Sequence, residues 1–267
     1  MSETRVLPFL AASGRTFSLA LGRKLTRSRA WFLLVMGLLP VLVAFALRGP
    51  AAPVGASTAP LAAPAAYGAI VWAAYVRFVI PVLGMWLGTG VIADEVDGRS
   101  LVYLTTRPIA RGTLLTGGYL AYLLVAGATV LPSMLLCAFA LIPMAAMPNA
   151  FPLVLTDLGV ALVGLAAYGA LFAAIGAAFR RPLVLGLLFV FGWEPLVLLL
   201  PGSIKRACLA LYLQSLVPHP VPTAESALLP QLVVREVLGP AEALASLALI
   251  SLLGLWLGAR ALTRRDV

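Results

Sequence analysis

The sequence predicts an all-α integral membrane protein with six transmembrane helices, and three observations carry that expectation. Of the 267 residues, 62% are hydrophobic and only 11% charged, against roughly a quarter charged in a soluble domain, and mean hydropathy is +1.03. Apolar stretches recur at the length of about 20 residues needed to cross a hydrocarbon core of roughly 30 Å. The basic residues gather at the ends of those stretches. The net charge of +9 is therefore a topology signal rather than a nucleic-acid footprint, and no nucleic-acid partner is expected. One membrane domain, 1–267, accounts for the chain.

The first element is an interfacial helix over about residues 8–27. Leu10, Phe17, Leu21 and Leu25 fall on one side of it at 100° per residue, and Arg15 and Arg23 on the other, the pattern of a helix lying in the membrane surface. The first span, about 30–47, starts behind the basic run GRKLTRSR, a placement that argues against a cleaved signal peptide. Four prolines and no charge between Gly49 and Ala66 mark a connection. The second span, about 67–93, is interrupted by Arg77 and Pro81, and a polar segment follows. The third span runs over about 113–141, and a turn, PMAAMPNAFP, leads to the fourth, about 153–179. Arg180, Arg181 and Pro182 connect tightly to the fifth, about 182–200. The run GSIKRACLALYLQSLVPHPVP then places a short amphipathic helix before a proline-rich turn, with a second short helix over Glu225–Leu238. The sixth span, about 241–262, ends in the basic tail TRRDV.

Alternating the sides of these spans puts fourteen of the nineteen Lys and Arg residues with the N-terminus and leaves Arg48, Lys205, Arg206 and Arg235 opposite. By the positive-inside rule both termini are cytoplasmic.

Catalytic chemistry has little to stand on. His219 is the single histidine, and H-E-x-x-H, G-x-S-x-G and G-x-x-x-x-G-K-[ST] are all absent, so no catalytic residue, metal site or ATP-binding loop is expected in this chain. Cys137, Cys208, Met144 and Met147 read as packing residues, Asp157 as a cap one turn into the fourth span, and His219 as a lone loop histidine. Gly84 and Gly88 have the spacing of a helix-packing face. Arg77 and Glu194 are different, because an ionisable side chain at a span centre costs about 2.5–3.5 kcal/mol on insertion scales. They carry opposite charge. Structural pairing, or a part in gating or substrate contact, would each explain them, and nothing in one sequence places them side by side.

The polar segment is the most specific part of the chain. The run IADEVDGRSLVYLTTRPIARGTLLTGGYLA resembles the signature of the ABC type-2 exporter permeases, in which a Glu just after the second span is followed by Gly-Thr-Leu, a Pro, and an Arg before the third span, often entered through Gly-Lys. The matching residues are Glu95, Gly98, Leu101, Pro108 and Arg111; Ser100 stands near the usual Thr, and Gly117 and Gly118 near the usual Gly-Lys. Arg99, between Gly98 and Ser100, departs from the pattern.

The resemblance implies a division of labour. Two permease chains, a homodimer or a related heterodimer, form a pathway through the bilayer of a bacterial inner membrane, and separate P-loop ATPase subunits bind ATP and Mg; this chain carries no cofactor. Asp94 to Arg111 would be a cytoplasmic coupling helix between spans two and three. Asp94, Glu95, Asp97 and Arg99 would make charge-assisted contacts to the ATPase while Leu101, Val102 and Leu104 insert into its cleft. Two alternatives remain at this point: a secondary, ion-coupled transporter, for which Pro81 and Glu194 are hints, and a non-transporting anchor that signals mechanically. The substrate is not named by family membership.

Overall fold

The computed structural model describes residues 9–24, 26–47, 66–92, 111–199, 203–219 and 238–264. Every regular element among them is helical. Helix α1 (Phe9–Lys24) is followed by α2 (Arg27–Leu47), α3 (Ala66–Ile92), α4 (Arg111–Leu141) and α5 (Met147–Ala178). Residues 182–199 form α6, a 3₁₀ turn covers Ser203–Ala207, and α7 (Leu209–Leu216) and α8 (Pro240–Arg264) complete the order. Helices α2, α3, α4, α5 and α8 are long and apolar enough to cross a membrane, while the apolar stretch of α6, Pro182–Val197, is shorter.

The packing alternates in direction. Tyr119 and Tyr122 of α4 donate hydrogen bonds to the carbonyls of Ala166 and Leu165, each at 2.8 Å, so α4 and α5 are antiparallel. Gly84 and Gly88 of α3 lie against Tyr168 and Phe172 of α5, and Gly254 and Gly258 of α8 against Ala170 and Ala174, so α3 and α8 both run parallel to α5. Gly186 and Phe191 of α6 meet Met85 and Phe78 of α3, an antiparallel pair. Helix α2 starts where α3 ends, its Phe32 ring 4.0 Å from that of Trp86. The start of α2 and the end of α8 therefore share one end of the bundle, here called the base, with Lys24, Leu87 and Thr113. Tyr67, Asp157 and His219 mark the far end.

Small residues make this packing possible. A Cβ on Gly84 would lie 2.6 Å from Tyr168 Cβ, and one on Gly88 3.1 Å from Phe172 Cβ. The small-x-x-x-small spacing in α3 is thus a face on which α5 rests.

Three elements differ from their sequence-based expectation. Helix α3 is continuous through Pro81, because π-helical turns at Val71–Val79 and Gly84–Gly88 flank an α-helical Ile80–Leu83. The wider turns carry the chain past a residue that has no N–H to donate. Helix α5 begins at Met147, inside the stretch read as a turn; Pro148 occupies its first turn, where the missing donor costs nothing. The turn itself is confined to 142–146. Helix α7 falls where the short amphipathic helix is expected but is packed on all sides, since Leu209 to Gln214 are all buried, and a Cβ at Gly164 of α5 would lie 3.0 Å from the side chain of Leu213.

Candidate functional site

Where α7 enters the bundle, four helices contribute polar side chains to one buried cluster. Arg77 lies on the first π-helical turn of α3, with its guanidinium carbon 5.2 Å from the Trp72 ring centroid. Gln214 of α7, with its amide oxygen turned to the guanidinium as the surrounding donors require, accepts from Arg77 Nε at 2.8 Å and Nη2 at 3.3 Å. Glu194 follows directly on the π-helical Leu188–Trp193 of α6 and is 3% exposed. Its Oε1 accepts a 2.6 Å hydrogen bond from the hydroxyl of Tyr168 on α5.

Two further donors come from backbone. The N–H groups of Leu209 and Ala210, in the first turn of α7, bond to the Glu194 carboxylate, and Arg77 adds an electrostatic attraction. A helix N-terminus offers unpaired N–H groups and a partial positive charge, which suits a carboxylate. Burying a charge without partners is prohibitive; hydrogen bonds and an opposite charge offset that cost. The structure thus brings Arg77 and Glu194, the two ionisable residues singled out in the spans, into one cluster. That π-helical turns adjoin both is a feature met often at functional sites.

At the base, α1 grips the two helices that flank residues 93–110. Lys24 is 2% exposed and donates to the carbonyl of Leu87, in the second π-helical turn of α3, at 3.0 Å. Thr16 is 7% exposed and donates to the carbonyl of Thr113 in α4, also at 3.0 Å. Of the coupling residues read from the sequence, Asp94, Glu95, Asp97, Gly98, Arg99, Leu101 and Pro108 lie outside the described residues. Arg111 is the first residue of α4.

At the far end, Asp157 and His219 form a buried pair, with His219 Nε2 2.8 Å from Asp157 Oδ2 and side-chain exposures of 8% and 0%. Asp157 is not a cap, because α5 starts ten residues before it. Nor is His219 alone. Among the described residues no group of three or more His, Cys, Asp and Glu side chains could hold a metal ion.

Sequence reasoning missed Tyr168 and Gln214, although each is a polar-tipped residue in an apolar helix and could have been flagged on that ground. The Asp157–His219 pair, 62 residues apart, left no local signal.

Fold and site together define a polytopic helical membrane protein, with a buried charge cluster in the middle of the bundle and α1 bonded to α3 and α4 at its base. The chain belongs to the ABC-2 family of transporter proteins, whose pattern it matches over residues 21–266. It is accordingly a membrane transport subunit of the ABC transporter class. No curated protein matches it.

Proposed function

We propose that this chain is the permease subunit of an exporter driven by ATP hydrolysis in a separate P-loop ATPase subunit. The observation that carries the reading is the family match over residues 21–266. Within it, Asp94 to Arg111 serves as the docking segment for the ATPase, with Asp94, Glu95, Asp97 and Arg99 as its charged contacts. The clamp at the base supports this role. Because Lys24 holds the α3 side and Thr16 the α4 side, a push on the intervening segment reaches α1, α3 and α4 together.

The chain crosses the bilayer six times in this account. Helix α6 has 18 residues over 182–199, or about 27 Å at roughly 1.5 Å per residue, close to the hydrocarbon thickness. Its direction also alternates with those of α5 and α8. The base then faces the cytoplasm of a bacterial cell, in its inner membrane, and α7 enters the bundle from the outside. The Arg77–Glu194 cluster holds α7 in place and acts as part of the outer gate, opening as α3 and α6 move. Two copies of the chain, or this chain and a related one, form the pathway.

Co-purification tests the assembly. The tagged permease, co-expressed with a candidate P-loop ATPase subunit from the same organism and extracted in mild detergent, should retain that subunit in a two-to-two complex. Recovery of the permease alone under conditions where both are expressed would contradict the reading.

A further inference from the structure

We propose that Asp157, His219 and Tyr67 form a proton-binding site, and that its shared proton fastens the 203–219 excursion to α3 and α5. His219 is the last described residue of the excursion. The imidazole lies on Gly68, where a Cβ would come within 2.7 Å of its ring, and edge-on to Tyr67 at 5.6 Å between centroids. Only glycine leaves space for the ring at that position. The His219 ring is thus seated in a slot of α3 and pinned to α5 by Asp157 Oδ2 at 2.8 Å.

The slot is not fully paired. Asp157 Oδ1 and the Tyr67 hydroxyl are both buried, and neither has a hydrogen-bond partner among the described residues. The contrast with Glu194, which has three donors and a guanidinium, is large. With the shared proton on the ring, His219 and Asp157 form a charge-assisted pair; with it on the carboxyl, Asp157 donates to a neutral ring. Without that proton the neutral ring can still donate its Nε2–H to the carboxylate, but the buried negative charge has no opposite charge beside it and one oxygen unpaired, so the attachment is weaker.

Among the described residues the neighbouring titratable groups are few. Helix α3 presents Tyr67 and α4 presents Cys137. Phenols and thiols ordinarily titrate above neutrality. Helix α8 brings Glu242, which pairs with Arg206 at the exposed end of the excursion, 3.9 Å away. In this proposal the shared proton exchanges between about pH 5 and 8, the range in which imidazole side chains as a class change charge. Its contribution to attachment is present on the acidic side and is lost as pH rises through the titration of the pair. The side from which that proton arrives rests on the orientation proposed above; the attachment does not.

Hydrogen exchange of the full chain tests the proposal. In detergent, the opening of residues 209–219, corrected for intrinsic exchange, should rise about tenfold between about pH 5.5 and 8, the effect of one pK unit of differential binding. His219→Gln and Asp157→Asn, made separately, should each flatten that rise, so that a folding failure of one leaves the other to report. Opening that does not change with pH in the native chain would overturn the proposal, as would a rise that persists in either folded variant. In sealed vesicles, a response to pH on the side away from the ATPase supports the proposed direction. A response confined to the ATPase side would overturn the orientation and leave the proton site standing.

Discussion

Helix α7 and the residues past its end are fastened in different ways. Along the helix itself, the Leu209 and Ala210 N–H groups in its first turn hold Glu194 together with Tyr168 and Arg77, and Gln214 in its last turn holds Arg77. Past its end, Asp157 and His219 hold one another and leave a carboxylate oxygen and a neighbouring hydroxyl without a partner among the described residues. A saturated cluster resists opening, because every group that leaves it loses a partner inside a low-dielectric interior. A sparsely paired one depends on a single hydrogen bond, which is stronger with the ring protonated than with it neutral. The same short helix thus has a firm anchor and a conditional one.

The largest expected effect comes from breaking the firm anchor. Arg77→Met removes the positive charge from Glu194 and should cost about 3–5 kcal/mol, read as a fall in Tm of the purified chain; adding Glu194→Gln should recover part of it. A loss that the second substitution does not relieve would separate the two residues. Next in size is Tyr168→Phe, which deletes a hydrogen bond to a buried carboxylate and should cost about 1.5–3 kcal/mol. The smallest change is expected past the end of the helix. Tyr67→Phe removes a hydroxyl that has no partner among the described residues, so stability should stay level or rise slightly. Were it to fall as far as in Tyr168→Phe, the two fastenings would be alike and the comparison would fail.

Much of the fold was legible because a span announces itself by length and apolarity, properties that need no tertiary knowledge. The differences arose where a local rule met its tertiary exception. Pro81 reads as a break, yet π-helical turns on both sides absorb it. Pro148 reads as a turn, yet it opens α5, and that shift of six residues is what moved Asp157 from a cap position into the interior. Arg77 and Glu194 stood out because charge in an apolar run is conspicuous, but their proximity depends on α3 and α6 packing antiparallel. His219 and Asp157 were each visible and each misread, since their meaning lies in a contact made only when α7 folds into the bundle. The proposed coupling segment rests on a resemblance, and the contacts of Lys24 and Thr16 on its flanks left no sign: a basic flank and a threonine carry no local mark that they grip carbonyls in α3 and α4.

The central claim is that the energy for transport enters from another chain through Asp94 to Arg111. The direct measurement is the ATP hydrolysis rate of the partner subunit in proteoliposomes, alone, with the native permease, and with a permease carrying Glu95→Lys and Arg99→Glu. The native permease should raise the rate, and the charge-reversed one, inserted to the same level, should leave it at the value of the ATPase alone. Equal stimulation by both permeases would contradict the account.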